Sequence, residues 1–407
     1  MWFAGIDWAD QHHDVVVIDA TGQRVGQLRV PHSAAGVQQL VSWLRQIGDG
    51  EVARCPDQLA CLIETSHGVL ITALLEQGLA IYPVNPKLVT QGRKPSGAKT
   101  EAIDAYILAR LGRSEGSELR RLAPDAPLIA ELKTLTRDQD ALIRTQTRLT
   151  NQLIACLKAY YPVALTWFDR MAQGVTLAFL EAFPTPTAFQ EASLGELTTL
   201  LKARHYPKAD QKAEQLAQLA QTPQLHALPP VSHAKTRYMR ALVAQLHLVM
   251  QQIAEYDREI AHLFAAHSDA ALFATVPGSG KRLGPRLLAE WGEDRHRYPT
   301  AASLQAVAGT APVIFQSGAY RSIRMRSACC KPLRNVLFQV ARESVQKEAW
   351  AKRYYERKRQ EGKTYTMAVR ALANQWVRIL YAVWQKRERY DPEVFAQAQR
   401  AHGRQAA

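Results

Sequence analysis

The feature that most constrains this chain is an apolar, strand-like segment near its amino terminus that ends in a carboxylate. Residues 2–8 read Trp-Phe-Ala-Gly-Ile-Asp-Trp, so a buried strand delivers Asp7. Residues 13–18 and 24–30 can form two more strands after short turns, which predicts a three-stranded meander. A carboxylate at the end of a buried strand is costly unless a cation or hydrogen-bond donors meet its charge. Asp7 is therefore either a solvated turn residue or part of a cation site, and further acids at matching positions would favour the second.

Three further acids follow in a matching order. Residues 58–63 predict a buried strand that ends at Glu64, residues 80–84 predict a fifth strand, and the predicted helix 99–109 carries Glu101 and Asp104 on one face. The order of three strands, helix, strand, helix, strand and helix is that of an RNase H-like core. Such sites hold two Mg²⁺ ions about 4 Å apart and catalyse phosphoryl transfer. Carboxylates favour Mg²⁺, and no His/Cys cluster with zinc spacing is present.

Length and charge predict three regions with different roles. The 407 residues are too many for one ordinary core, and we expect an α/β domain over 1–114, a helical region over 115–270 with an insert at 161–232, and a mainly helical domain over 271–407. The net charges of these regions are −1, 0 and +15. A charge so concentrated predicts that the last region contacts a polyanion, and nucleic acid is the favoured partner.

Composition also predicts the compartment. No apolar run is long enough to span a bilayer, so we expect no membrane association. The five cysteines form no C-x-x-C pair and no zinc spacing, which favours reduced thiols in a cytoplasmic protein.

Two apolar stripes with heptad-like spacing predict long helices in the middle region. One stripe runs from Leu128 to Cys156 and the other from Leu242 to Leu263. Such stripes are typical of an antiparallel pair within one chain or of an intermolecular coiled coil. The first needs only core packing, whereas the second would assemble subunits.

A glycine-rich turn opens the basic region. Gly278, Gly280, Lys281 and Arg282 lie between an apolar segment and the predicted helix from Leu287. The full signature of a nucleotide-binding phosphate loop is missing, and no strand clearly precedes the turn. The pattern favours a helix-hairpin-helix turn whose backbone N–H groups hold a nucleic-acid phosphate.

A serine on a predicted Gly-flanked loop is the second candidate for chemistry. Ser317 is followed by Gly318, and Arg321, Arg324 and Arg326 come next. A hydroxyl beside three arginines is suited to phosphodiester chemistry, because the arginines would neutralise charge on the phosphate oxygens. From the residues alone, a serine before a glycine is most often only part of a turn.

These motifs together resemble a family. Gly5-Ile6-Asp7, Ile63-Glu64-Thr65 and the segment 99–105 are similar to the signature of bacterial DEDD-type insertion-sequence transposases, whose amino-terminal domain resembles RuvC. Segments 309–312 and 316–318 resemble the family's carboxy-terminal motif. The family pattern usually has Asp at the position of Glu101; Glu can still bind Mg²⁺ but with a longer reach.

The resemblance implies more than the residues do. It implies that Ser317 is a nucleophile that becomes joined to DNA, and that subunits share a composite site in a dimer or tetramer. It also implies a structured guide RNA, called a bridge RNA and encoded by the element, that pairs with donor and target DNA, and a nucleoid-associated bacterial protein. The guide would then carry the sequence specificity.

Three alternatives remain at this stage. A metal-dependent RuvC-like junction nuclease would need the four acids but not Ser317. A sugar-kinase-like ATPase would need a Gly-rich phosphate turn after the first strand, where residues 8–11 read Trp-Ala-Asp-Gln. A non-catalytic nucleic-acid-binding protein would use the acids only to pair with arginines.

Overall fold

The computed structural model describes residues 1–93, 100–116, 118–318, 320–394 and 397. The chain folds into two compact units, Met1–Pro124 and Asp125–Ala407. The first unit extends past the predicted boundary at residue 114. In the second unit, helices from the predicted regions 115–270 and 271–407 share one hydrophobic core.

The first unit is built on a mixed sheet with the spatial order β3-β2-β1-β4-β5. The strands are β1 Trp2–Trp8, β2 His12–Ile18, β3 Arg24–Pro31, β4 Leu59–Ile63 and β5 Ala80–Pro83. β1 pairs antiparallel with β2 and parallel with β4, so it lies at the centre and its middle residues are buried. The predicted meander and the predicted mixed α/β domain are confirmed.

Helices cover both faces of this sheet. They are α1 Ala34–Gln46, α2 Glu51–Arg54, α3 Val69–Glu76, α4 Pro86–Gly92 and α5 Glu101–Glu115. α1 and α3 pack on the face that carries Ala4 and Ile6, whereas α5 packs on the opposite face. The sequence predicts a basic loop over 87–99, but Asn85 caps a helix there by accepting a hydrogen bond from the Lys87 N–H. Residues 94–99 of that predicted loop lie outside the described residues.

Two long helices, α6 Pro127–Tyr160 and α11 Pro229–Ala266, organise the second unit. They run antiparallel, because Gln139 bonds to Asp257 whereas Cys156, further along α6, bonds to the earlier residue Lys235. The stripe predicted on α11 is buried from Leu242 to Ile260, except that Tyr256 is half-buried. On the first half of α6, Leu132 is buried as predicted, whereas Ile129 and Thr136 are buried one residue after the predicted positions 128 and 135, and Gln139 is buried outside the predicted stripe.

The insert packs with one end of the long helices around a second core. Its helices are α7 Gly174–Ala182, α8 Pro186–Gln190, α9 Leu194–Ala203 and α10 Ala209–Ala220. Aromatic side chains are prominent in this core, where the Trp167 ring contacts the rings of both Phe179 and Phe189. The helical insert predicted for 161–232 therefore forms a packed body at one end of the long helices.

The rest of the second unit is mainly helical, as predicted. Its elements are α12 Ala270–Ala274, α13 Gly280–Trp291, α14 Ala301–Val307, β6 Pro312–Ser317, β7 Tyr320–Met325, α15 Lys331–Lys347, α16 Ala349–Gln360 and α17 Tyr365–Lys386. Trp291, Trp376 and Trp384 are buried in the core that joins these helices to α6 and α11. β6 and β7 form a separate antiparallel hairpin, where the sequence predicts a loop. None of the described helices is both long and apolar enough to cross a bilayer.

Candidate functional site

Two of the predicted acids lie at the carboxyl ends of neighbouring parallel strands. Asp7 is near the end of β1, and Glu64 directly follows β4. Gly5 pairs with Leu62 and Ile6 with Ile63, so the same register carried one residue further places Asp7 beside Glu64. The carboxyl ends of parallel strands form the edge at which sheets of this kind bind ligands.

α5 brings the other two predicted acids to the same edge. Thr100 caps the helix by accepting a hydrogen bond from the Ile103 N–H, and both Glu101 and Asp104 lie in the first turn. A Cβ added to Gly5 would lie 1.9 Å from the backbone oxygen of Ala105, so α5 rests directly on the backbone of β1. Only glycine permits so close an approach. Sequence reasoning treated Gly5 as a motif residue, whereas its structural role is to let the helix carry its acids to Asp7.

The pKa of Asp7 reflects the negative charge of the neighbouring acids. Burial raises the pKa of Asp7, and repulsion by Asp104, Glu64, Glu101 and Asp14 raises it further, to about 7. The other three predicted acids therefore all lie close enough to repel the charge of Asp7. A carboxyl group near half-protonation at neutral pH can exchange its proton for a cation.

Arg93, which was not predicted as a site residue, neutralises the charge of Asp104. The Arg93 guanidinium donates to both carboxylate oxygens of Asp104, at 2.9 and 2.6 Å. Asp104 is only 5% exposed, so its charge needs this partner or another cation. The pair raises the pKa of Arg93.

Glu101 lies in a second charged cluster on the same edge. His12 Nε2 is 2.6 Å from Glu101 Oε2, and the Arg29 guanidinium donates to Glu101 at 3.1 Å and to the buried Asp14 at 2.8 Å. The His12 contact and the charge of Arg29 lower the pKa of Glu101. Asp7 and Asp14 are direct partners across β1 and β2, so the two clusters meet there.

The residues His12, Asp14 and Glu101 could hold a metal ion. One donor atom from each lies within 4.8 Å of the others. Sequence reasoning missed His12, Asp14 and Arg29 as site residues, although the alternation of a strand signals them. Residues 12 and 14 share a face of β2, and that face also carries Asp7 through the β1–β2 register.

The predicted serine lies in the second unit, on the β6–β7 hairpin. Ser317 ends β6 and pairs with Tyr320, and Gly318 follows at φ +56°, a conformation that favours glycine. Ser317, Arg321 and Arg324 are exposed and Arg326 is half-buried. The Arg324 guanidinium stacks 4.5 Å from the centre of the Phe315 ring. The hairpin therefore presents a hydroxyl and arginines to the surroundings.

The predicted phosphate-binding turn covers the connection from α12 to α13, which holds Gly278, and the start of α13, which holds Gly280, Lys281 and Arg282. Gly278 has φ +90° and packs against α15, where an added Cβ would lie 2.7 Å from Glu343 Cβ. Gly280, at φ +52°, faces open space, and Lys281 is exposed. Arg282 instead donates to both oxygens of Asp257 on α11, at 2.9 and 2.7 Å. The turn joins two helices, and both the helix-hairpin-helix motif and nucleic-acid binding by these residues stay predictions.

Comparisons with known proteins identify the class. Residues 4–162 match a family model described as a DEDD transposase of the IS110 type, and residues 270–356 match a model for the transposase IS116/IS110/IS902 family. The first match contains the four acids, and the second contains Ser317 and the glycine-rich turn. The chain is an insertion-sequence transposase of the DEDD type.

Relatives extend the similarity over almost the whole length. A "Mini-circle putative transposase for IS117" from Streptomyces coelicolor is 30% identical over 399 residues, which cover 96% of this chain and 95% of that protein. The "Insertion element IS116 uncharacterized 44.8 kDa protein" from Streptomyces clavuligerus is 29% identical over 96% of both chains. A "Pilin gene-inverting protein" from Moraxella bovis is 29% identical over 54% of this chain and 67% of its own length. The chain belongs to the IS116/IS110/IS902 transposase family.

Proposed function

We propose that this transposase cuts and rejoins DNA with a RuvC-like, RNase H-type acid site and a serine nucleophile. Asp7, Glu64, Glu101 and Asp104 would hold Mg²⁺, and Ser317 would attack the DNA backbone. The partners would be donor and target DNA and a structured guide RNA encoded by the element. The enzyme would act as a homo-oligomer whose subunits share a composite site.

The gathering of four acids at one sheet edge is the observation that carries the metal part of the proposal. Four carboxylates that crowd one sheet edge leave Asp7 with a pKa of about 7, and Arg93 and Arg29 offset the charge of its neighbours. Such an oxygen-rich donor set fits a hard divalent cation. When bound, Mg²⁺ would activate the attacking oxygen and stabilise charge on the leaving oxygen. The chain's own acids would position the ion, and β1, β4 and α5 keep these acids in place.

The exposure of the β6–β7 hairpin supports the serine part. The Ser317 hydroxyl is accessible, and Arg324, which lies on the same face of the hairpin, can bind the non-bridging oxygens of a phosphate. In the step we propose, a bond forms between Ser317 Oγ and phosphorus while the bond from phosphorus to one deoxyribose oxygen breaks. The serine proton leaves, and the released oxygen takes up a proton or attacks again. The phosphoserine linkage conserves bond energy for rejoining.

Charge and similarity support the nucleic-acid partners. The net charge of +15 over residues 271–407 favours binding of a polyanion. The name of the pilin gene-inverting relative supports rejoining as well as cutting, since an inversion leaves DNA continuous. The guide RNA and the composite site rest on the family resemblance.

A trapped covalent adduct tests the proposal. Full-length protein is incubated with Mg²⁺, a nicked suicide DNA substrate and the RNA that copurifies with it, and products are separated on a denaturing gel. Wild type should give a retarded DNA band that protease removes. Ser317→Ala should lose both adduct and cleavage, and the matched variant Ser322→Ala should keep both.

The same assay tests the acid site with a second set of variants. Asp7→Asn should lower cleavage by about 10²–10³-fold, the usual cost of losing a group that stabilises transition-state charge, while DNA binding stays. Asp57→Asn, which removes an exposed acid paired with Arg121, is the control. Cleavage by Ser317→Ala would refute the nucleophile and favour a RuvC-like junction nuclease, and full cleavage by Asp7→Asn would refute the metal site.

A further inference from the structure

The β6–β7 hairpin exposes large apolar side chains that no part of the proposed chemistry uses. Ile314, Phe315, Tyr320, Ile323 and Met325 are each between 47% and 61% exposed. Two-stranded hairpins are marginally stable alone in water, and exposed apolar patches mark interaction sites. Some partner should therefore cover this hairpin when the enzyme works.

The register sorts the hairpin side chains onto two faces. The pairs Ser317–Tyr320 and Phe315–Ser322 lie on one face, which we call the hydroxyl face. The pairs Ile314–Ile323 and Pro312–Met325 lie on the other, which we call the apolar face. The pair Gln316–Arg321 completes the apolar face near the turn. One strand thus carries Ser317 and, on its reverse side, Ile314.

Charge restricts what can cover the apolar face. Residues 311–342 contain six Lys/Arg and no Asp/Glu, so an uninterrupted basic segment surrounds the hairpin. The hairpin of a second copy would carry the same charge and be repelled. The occupant needs negative charge together with flat apolar surfaces. Nucleic acid offers both, because its phosphates are anionic and its base faces are apolar.

We propose that the apolar face inserts between stacked bases of DNA, beside the phosphate that the hydroxyl face binds. Apolar side chains of minor-groove proteins act in this way, partly unstacking a base step and kinking the duplex. Ile314 and Ile323, a directly opposed pair, form the centre of the wedge. The arginines around them offset the phosphate charge that would otherwise resist so close an approach. The placement of the wedge next to the reacting phosphate rests on the proposed role of Ser317.

Fluorescence of 2-aminopurine reports base unstacking directly. A series of linear DNA duplexes, each with 2-aminopurine at one position, is titrated with full-length wild-type protein. We expect a fluorescence increase at one or two adjacent positions. The double variant Ile314→Thr/Ile323→Thr keeps β-branched residues in both strands, so the hairpin should still form. This double variant should lose most of the fluorescence increase and bind DNA about tenfold more weakly, because the contact made by the isoleucine pair is lost.

Two matched variants control for polarity and size. Leu225→Thr changes a leucine in the insert that is even more exposed, at 82%, and should leave the signal unchanged. Ile323→Phe keeps an apolar side chain and should retain the signal, with circular dichroism confirming the fold of each variant. Loss of the signal in Ile323→Phe with intact fold would contradict insertion by apolar groups.

Other outcomes separate this proposal from the proposed function. Duplex binding without any fluorescence increase overturns the wedge, whereas the adduct assay of Ser317 can still succeed. A drop in molar mass of the double variant in light scattering without DNA would show that the apolar face covers another protein copy, which also overturns it. An adduct-negative enzyme that still unstacks bases would keep the wedge and reject the nucleophile.

Discussion

The acid site and the serine hairpin hold their candidate reactive groups in different ways. The acids lie at the edge of a five-stranded sheet, where Asp104 is buried and Arg93 and Arg29 neutralise neighbouring carboxylates. Ser317 lies on a two-stranded hairpin whose side chains are mostly exposed. Like charges repel, so acids remain together only where packing and internal cations oppose that repulsion. A neutral hydroxyl needs no such enclosure and gains access to large substrates from exposure.

The strongest test of this difference is to add one methyl group to a glycine in each region, at Gly5 and at Gly318. Gly5→Ala would drive a Cβ into the Ala105 backbone, so α5 must shift and cleavage should fall at least about 10²-fold, as for a misplacement of about 1 Å. Gly318→Ala meets nothing within 4 Å and costs about 1 kcal/mol for its left-handed backbone. Thermal unfolding and the cleavage assay measure both, with Gly195→Ala as control. Equal effects of Gly5→Ala and Gly318→Ala would show that the acid site does not depend on close packing.

The internal cations come next in expected effect. Arg93→Gln leaves the buried Asp104 without its bidentate partner and should lower the free energy of unfolding, in the absence of metal, by about 1–3 kcal/mol. Half-saturation with Mg²⁺ should then need a lower Mg²⁺ concentration, because the ion no longer competes with the guanidinium for Asp104. Arg121→Gln breaks an exposed pair with Asp57 and should cost less than about 1 kcal/mol. Urea unfolding with and without Mg²⁺ tests both; equal losses would mean that Arg93 is only a surface partner.

Asp7 should make stability depend on pH and on metal. Its pKa is about 7 when folded and 3.8 ordinarily, so folding takes up a proton between these values and stability falls as pH rises through this window. Without metal, Asp7→Asn should therefore unfold a few degrees higher than wild type at pH 8 and equally at pH 3. Mg²⁺ should raise the unfolding temperature of wild type more than that of the variant. A wild-type profile parallel to that of Asp7→Asn from pH 3 to 8 would contradict the shift.

The smallest effect concerns arginines around the hairpin. Arg321 is exposed on β7, whereas Arg282 is held by Asp257. In a plot of log K against log salt for DNA binding, Arg321→Gln should reduce the slope by about one and Arg282→Gln should leave it nearly unchanged. Anisotropy titrations of full-length variants give these slopes. A larger change for Arg282→Gln would place the glycine-rich turn, rather than the hairpin, on the phosphate backbone.

The sequence predicted the strands of the first unit well, and the structure brings the four predicted acids to one sheet edge, because local signals agree there. Apolar runs set β1, β2 and β4, and an acid at a strand end is visible without knowledge of the fold. The compensating residues were not predicted, since Arg93, Arg29 and His12 reach the acids only through strand register and through contacts across the fold. Arg93 and Asp104 are close in sequence, yet their pairing depends on how α5 begins.

In the second unit, prediction from the sequence is limited for a different reason. Apolar stripes predicted α6 and α11, but Thr136 is buried beside the predicted position 135 and Gln139 is buried outside the predicted stripe, because a polar side chain that finds a partner can be buried. The β6–β7 hairpin was predicted as a loop because Ser317 and Gly318 are typical turn residues. Ile314, Phe315 and Ile323 of its strands remain exposed, and an apolar pattern alone does not predict such exposure.

The long helix pair has a consequence for protein engineering. Gln139 lies near the core around α13, and Tyr160 lies in the core that includes the insert, so about 30 Å of helix separates these two residues at 1.5 Å per residue. The insert packs on apolar residues of both long helices, from Leu149 to Tyr160 and from Met239 to Ile253. A module exchanged for the insert would therefore need an apolar face that covers these two helix segments. With that face kept, the exchange should leave the hairpin and its supporting helices unchanged.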